Sequence, residues 1–284
     1  MRTFVLNKLL FVYNNFKKSE ILRATIKKLI DSRKLKIKFH NFYIMAGINS
    51  AIESNLMFKE YNETFILKVI HLFASLNYNF VDIGANIGVH SLTASSANQD
   101  IEIFAFEPEN KNYLNFINNI SINNILNIRA FKMGLGDAIS LKKLNLNEGW
   151  NEGKHSLKID FDNSKKSVNI PVFKLDEFEK FLKFDSLAIK IDVEGFELEV
   201  IRGSKIVFNQ IDEMVLIIEL IIEISTKETC ETIFKELEEL NFSKKYKIVN
   251  NKSIQEVYGF GESGDYIFIK GEKTKSLFID SKFF

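Results

Sequence analysis

Residues Phe80–Gly88 read FVDIGANIG. An apolar, β-rich run ends in an acid, Asp82, and breaks into glycines at Gly84 and Gly88, with Asn86 between them. That texture predicts a strand entering a tight turn. Glycine lets the backbone reverse sharply and lets a ligand lie close against it. A dinucleotide-binding turn spaces its glycines G-x-G-x-x-G and seats a pyrophosphate on the next helix N-terminus. Here Asn86 stands where a glycine would be, and Asp82 repels a pyrophosphate. It attracts a cation instead, such as a sulfonium carrying an amino-acid ammonium. An NAD-type oxidoreductase is the disfavoured alternative.

Outward from this stretch the chain alternates. IEIFAF (101–106), IRAFKM (128–133), LAIKID (187–192) and MVLIIEL (214–220) are further short β-rich runs. Helical periodicity lies between most of them. Phe65, Val69, Leu72 and Phe73 recur on one face of residues 62–76; Tyr113, Leu114, Ile117 and Ile120 do so over 109–120, with Pro108 suited to the first helical position. Residues 226–240 read as a helix with a Ser225–Glu228 capping box and a buried stripe of Cys230, Ile233, Phe234, Leu237 and Leu240. Apolar strands alternating with amphipathic helices imply an α/β fold, a parallel sheet covered on both faces. SKKYKIV (243–249) and DYIFIKG (265–271) add two strands, the second expected as the returning antiparallel edge.

Two regions fall outside this rhythm. Residues 1–58 read as a helical arm followed by a small β-element, in which LKIKFHNFYIMAG (35–47) pairs with residues near Asn55–Phe58. Residues 59–284 form the main domain, interrupted at about 140–178 by an insertion of two β-like pieces around a polar stretch. Long insertions in compact domains are often functional lids.

Composition narrows the class. The chain of 284 residues is 46% hydrophobic, with 13 Gly and 2 Pro, enough to bury a full core. One cysteine, Cys230, permits no internal disulfide and fits a reducing, cytoplasmic setting. No Cys or His spacing suggests zinc, and no run approaches the ~20 apolar residues of a membrane span. The net charge is +1, yet residues 1–40 carry eleven basic against two acidic side chains, so the body is acidic. The arm is either a solvated helix face or a contact for an anionic surface such as a membrane. A non-catalytic, membrane-peripheral binding module is a second alternative on that basis. The acidic body argues against nucleic acid.

Four pieces carry chemistry. Asp82, Gly84, Asn86 and Gly88 form the turn. Glu107 and Pro108 end the second strand, where an acid can accept hydrogen bonds from both hydroxyls of a ribose. Gly136 and Asp137 end the third strand and are placed to frame an adenine. In IKIDVEGFELEVIRGS (189–204), strand alternation puts Lys190, Asp192 and Glu194 on one side. Glu219 ends the fifth strand, either as a further wall of a pocket on the edge where ligands gather or as a charged strand end. Trp150 in the insertion either stacks on a ligand ring or anchors the loop to the core.

With FVDIGANIGVHSLTAS, FAFEPENKNYLNFINNI, LGD, KLDEF and IKIDVEGFELEVIRGS in this order, the chain resembles the FkbM family of S-adenosylmethionine-dependent methyltransferases over residues 60–270. The resemblance implies a class I, Rossmann-like fold with a mostly parallel seven-stranded sheet. It implies S-adenosylmethionine as cofactor and methyl transfer to a hydroxyl, on sugars of surface glycans or on macrolides. By resemblance, Asp82, Gly84, Asn86 and Gly88 line the cofactor, Glu107 holds its ribose, and Asp192 and Glu194 face the reaction space. The lid reads His155-Ser156 where the family often carries a serine pair. An alcohol acceptor must lose a proton, and Asp192 is the first candidate base, followed by Glu194, His90 and His155. Alternatively Asp192 and Glu194 hold a divalent cation that polarises the hydroxyl.

Overall fold

A computed structural model describes residues 2–15, 19–31, 33–146, 155–157 and 166–281. Helices α1 (Arg2–Asn15) and α2 (Glu20–Ile30) lead into a hairpin of β1 (Leu35–Phe39) and β2 (Phe42–Ala46). Helices α3 (Ala51–Met57) and α4 (Thr64–Ser75) follow. The alternating body comprises β3 (Asn79–Ile83), α5 (Val89–Ala97), β4 (Ile103–Phe106), α6 (Asn110–Ile122) and β5 (Ile128–Phe131). A separate three-stranded sheet is built from β6 (Gly134–Leu135), β7 (Ser140–Asn145) and β8 (Ser167–Phe173). The body resumes with β9 (Ser186–Ile191), α7 (Glu197–Arg202), α8 (Lys205–Gln210), β10 (Glu213–Leu220), α9 (Ile222–Ser225) and α10 (Lys227–Glu239). It closes with β11 (Lys244–Val249), β12 (Ser253–Glu256), β13 (Gly264–Lys270) and α11 (Glu272–Asp280).

The main sheet runs β12-β11-β13-β10-β9-β3-β4-β5. The five strands from β10 to β5 are parallel, and their near-continuous burial fits a sheet covered on both faces. From β3 the chain first winds outward to β4 and β5, then returns on the other side to β9 and β10. The order therefore reverses between β3 and β9, and ligands of open α/β sheets bind at the carboxyl ends there. Ile83 pairs with Ile191 in that register, so the turn after β3 meets Asp192 after β9.

The α/β class holds, with differences in detail. The sheet has eight strands, because a hairpin adds β12 outside β11. β13 is interior, antiparallel to both β10 and β11, and is not the edge. β1 pairs with β2, and residues 51–57 are helical, so no strand forms near Asn55. Helix α10 is capped by Thr226, whose hydroxyl accepts from Thr229 N at 3.3 Å. Ser225 is buried and its Oγ donates to Glu197 Oε2 at 3.0 Å instead. Cys230 lies fully buried in the core, and burial first, then Glu197, pushes its thiol up to about 11.

Helix α6 is rotated from the face its periodicity suggests, with Tyr113 and Ile120 half-buried. Leu114 and Ile117 are exposed, whereas Asn112, Phe116 and Asn119 are buried. The reason is local: Asn119 Nδ2 donates to Ile87 O at 3.0 Å, while its Oδ1 accepts from Met45 N at 2.9 Å. One asparagine thus ties the glycine turn to the β1–β2 hairpin. Pro108 precedes the helix, and Glu109 caps it by accepting from Asn112 N at 2.7 Å. Leu6, Leu10 and Tyr13 of α1 and Ile26 and Ile30 of α2 share a hydrophobic cluster with Leu67, Ile87 and Leu92 of the body. Among the described residues no helix is long and apolar enough to cross a membrane.

Candidate active site

The turn after β3 is built from residues able to take left-handed backbone. Gly84, Asn86 and Gly88 have φ of 84°, 52° and 89°. Gly84 N and Ala85 N both donate to Phe106 O at 3.0 Å, which fastens the turn to the end of β4. A side chain at Gly84 would put its Cβ 1.9 Å from Asp192 O. The glycine is therefore required by the close passage of two chain segments as well as by its φ.

Asp82 lies fully buried beneath this turn. Its Oδ2 accepts from Ser91 N at 3.0 Å and Ser91 Oγ at 2.6 Å, fixing the start of α5. Its Oδ1 is buried without a hydrogen-bond partner among the described residues. Burial raises its pKa despite His90, Ser91 and Lys190. Asp82 is thus a support of the turn and does not itself line the cavity above it.

That cavity holds about 310 Å³. Gly84, Asn86, Glu107 and Pro108 line one part, with Asn112, Met133, Gly134 and Leu135. Glu107 is 5% exposed, and its two oxygens accept from Asn86 N at 2.7 Å and Glu109 N at 2.8 Å. Burial is the main cause pushing its carboxyl up to about 8, against the two N–H bonds. A buried carboxyl of this kind, beside a turn of bare backbone and among Ile83, Phe106 and Phe196, suits an adenosyl group. Its ribose hydroxyls would donate to Glu107 and favour the ionised form. Gly136 and Asp137 lie beyond the lining: Gly136 packs against Phe196 and Val172, and Asp137 is exposed. The third strand's contribution is residues 133–135.

Carboxylates gather in the same cavity. β9 stops at Ile191, so strand alternation does not carry Asp192 and Glu194; Glu194 takes a left-handed φ of 50° before Gly195. Ser156 is fully buried, and its Oγ donates to Glu194 O at 2.6 Å. It positions that turn and does not face the cavity. His155 and Leu157, from the insertion, do line it; Trp150 lies outside the described residues. Oxygens of Asp192, Glu194 and Glu219 come within 4.8 Å of one another and could hold a cation, so Glu219 joins the pair expected from sequence. Asp192 first, then burial, pushes Glu219 up to about 9, so two neighbouring carboxylates compete over charge at this wall.

Lys190 is not a cavity residue. It is 1% exposed, with Nζ 3.3 Å from Asp192 Oδ2 and 3.8 Å from Asp265 Oδ1. Burial alone would lower its pKa, but Asp192, Asp265, Glu219 and Glu63 raise it. It is the buried counter-ion of the carboxylate group. His90 is likewise engaged: its Nε2 lies 2.9 Å from Glu63 Oε2, which also accepts from Tyr61 OH at 2.9 Å. Burial pulls His90 down, but Glu63 and Asp82 outweigh it and the net pKa is raised. Burial opposes and His90 dominates in holding Glu63 down at about 2. A histidine paired in this way is a poor base.

Tyr61, Glu63 and Asp265 carry no sequence signal that marks them. Asp265 meets the site because β13 pairs antiparallel with β10, setting it opposite Glu219. Tyr61 and Glu63 lie in the irregular segment ahead of α4.

The family model described as the Methyltransferase FkbM domain matches residues 82–244, more than half of the chain. Among solved structures, M. jannaschii TYW2 in complex with AdoMet is similar with a TM-score of 0.46 at 12% identity, covering 84% of this chain and 85% of that one. The SAM-dependent methyltransferase from Agrobacterium tumefaciens gives a TM-score of 0.46 at 9% identity, covering 84% and 70%. Precorrin-6y C5,15-methyltransferase from Geobacter metallireducens GS-15 gives 0.41 at 13% identity, covering 72% and 87%. No curated protein sequence matches the chain.

Proposed function

We propose, since the chain belongs to the FkbM methyltransferase family, that it methylates a hydroxyl of a sugar, in a surface glycan or in its lipid- or nucleotide-linked precursor. The cofactor, S-adenosylmethionine, supplies a methyl group already activated on a sulfonium. The protein has to position the acceptor and remove its proton. Orientation alone can be worth ~7–11 kcal/mol of barrier. In this reading Glu107 and the Gly84–Gly88 turn hold the adenosyl part, with Asp82 bracing the turn from below.

The observation that carries the reading is one cavity shared by Glu107 with the glycine turn and by Asp192, Glu194 and Glu219. A carboxylate-lined wall accepts hydrogen bonds from a polyhydroxyl acceptor and takes a proton from the attacking oxygen. It repels a phosphate backbone, which disfavours nucleic acid. Asp192 and burial push Glu219 upward and His90 is paired with Glu63, so Asp192 is the preferred base and Glu194 the next. His155 is placed to meet the acceptor from the lid. A second reading rests on the same three carboxylates: a divalent cation held by them would lower the acceptor's pKa.

The test is transfer of labelled methyl from S-adenosylmethionine to a panel of neutral sugars, glycans, carboxylic acids and RNA. The reading expects label on sugar as an ether that survives mild alkali. Label on RNA alone, or release by alkali as from an ester, would contradict it. Loss of transfer on chelation, restored by magnesium, would favour the cation reading over the base.

A further inference from the structure

A helix that is apolar on both sides wants cover on both. Helix α1 is of this kind. Leu6, Leu10 and Tyr13 are buried against the body, yet Phe11 is 60% exposed, with Val5 and Val12 also exposed. At 100° per residue Lys8, Phe11 and Val12 point away from the buried stripe, and Val5 lies nearer its flank. The neighbouring helix α2 repeats the arrangement: Ile26 and Ile30 are buried, while Ile21, 82% exposed, and Lys28 lie opposite them. Large apolar side chains and lysines thus alternate across the outer side of two packed helices. Arg33 and Lys38 are exposed just beyond.

Two of the arm's basic side chains, Arg23 and Lys34, are spent on internal partners, Glu60 and Glu53. Lys28, Arg33 and Lys38 are exposed on or beside the outer side, against the exposed acids Glu20 and Asp31. A two-fold pairing of this side with itself would bring Lys28, Arg33 and Lys38 of one copy near those of another, which like charge disfavours. An anionic lipid surface satisfies both features: the interface takes up Phe11, Val12 and Ile21, and the headgroups take up the lysines.

We propose that the outer side of α1 and α2 docks the enzyme on an anionic lipid bilayer. The inference is independent of the acceptor's identity, but it bears on access to the site. Tyr13 OH donates to Glu60 Oε1 at 3.1 Å, Arg23 Nη2 lies 2.9 Å from Glu60 Oε2, and Asn14 Nδ2 donates to Met57 O at 3.0 Å. The clamped residues directly precede Tyr61 and Glu63, which line the cavity. A docked arm would hold the cavity close to the lipid surface.

The experiment is flotation of the full chain with vesicles of phosphatidylcholine, with and without phosphatidylglycerol, at low and raised salt. Expected is binding to the anionic vesicles only, weakened by salt. Combining Lys28→Gln with Arg33→Gln should reduce it about thirtyfold. Combining Phe11→Ser with Ile21→Ser should reduce it about tenfold or more. Both variants should bind S-adenosylmethionine as the wild type does, which reports that the fold is intact. No vesicle binding, or equal binding to both lipid compositions, overturns the proposal. So does a concentration-dependent dimer that the Phe11→Ser and Ile21→Ser variant abolishes while flotation is absent; that result assigns the face to a second copy.

Discussion

Gly84→Ala is expected to abolish measurable S-adenosylmethionine binding and to destabilise the protein by about 3 kcal/mol. The cause is twofold. The position has a φ of 84°, which a side chain tolerates poorly. The new Cβ would also lie 1.9 Å from Asp192 O and 2.9 Å from Asp192 C, and backbone atoms cannot swing aside. Relief requires the end of β3 and the end of β9 to separate. That separation loosens the hydrogen bonds of Gly84 N and Ala85 N to Phe106 O and shifts Asn86 from Glu107. Thermal unfolding should fall by about 2–4 °C per kcal/mol for a chain near this size. Gly259→Ala is the control: nothing lies within 4 Å of its added carbon, and the melting point should not move. Normal binding by Gly84→Ala would mean that the turn is not the cofactor's seat.

Asp192→Asn is expected to lower the rate of methyl transfer by about 10²- to 10⁴-fold, the usual worth of a positioned general base. Asparagine keeps the shape but cannot accept the acceptor's proton. Lys190 keeps Asp265 Oδ1 at 3.8 Å, so the buried ammonium is not stranded and the fold should persist. Cofactor affinity should stay within about threefold, because the loss falls on a transition-state interaction. A rate within about tenfold of wild type would move the base to Glu194 or to a bound cation. Glu194→Gln and the chelation experiment then separate those two.

How much of the fold and site is legible in the sequence depends on how local each feature is. The strand, the glycine turn and the helix start lie within a dozen consecutive residues, so the local pattern alone places the turn; Gly84 and Asn86 line the cavity, whereas Gly88 lies outside the lining, at the start of α5 against Phe116. Glu107 is placed for the same reason, as an acid ending the next apolar run. Lys190 is not. Alternation predicts a residue facing substrate, whereas the strand stops at Ile191 and the lysine is enclosed by carboxylates from four separate segments. Asp265 depends on the antiparallel register of β13 on β10, and Tyr61 and Glu63 on the packing of an irregular segment over α5. None of these is written in a local pattern. Helix α6 shows the same limit: its apolar residues suggest one buried face, but Asn112, Phe116 and Asn119 take the inner side, and Asn119 and Phe116 hold the turn. The hydrogen-bonding needs of a glycine turn outweigh hydrophobic periodicity there.

The most direct measurement is calorimetry of S-adenosylhomocysteine binding across pH 6–9, on the wild type and on Glu107→Gln, in buffers that differ in ionisation heat. Glu107 is pushed up to about 8 in the free protein, and ribose hydroxyls that donate to it favour its charged form. Below that pH the wild type should release close to one proton per ligand bound, and affinity should strengthen as pH rises toward 8. The variant should bind about a hundredfold more weakly, with no proton release from this site. Absence of binding, or equal and pH-independent binding by both proteins, would contradict the assignment of this cavity to the cofactor.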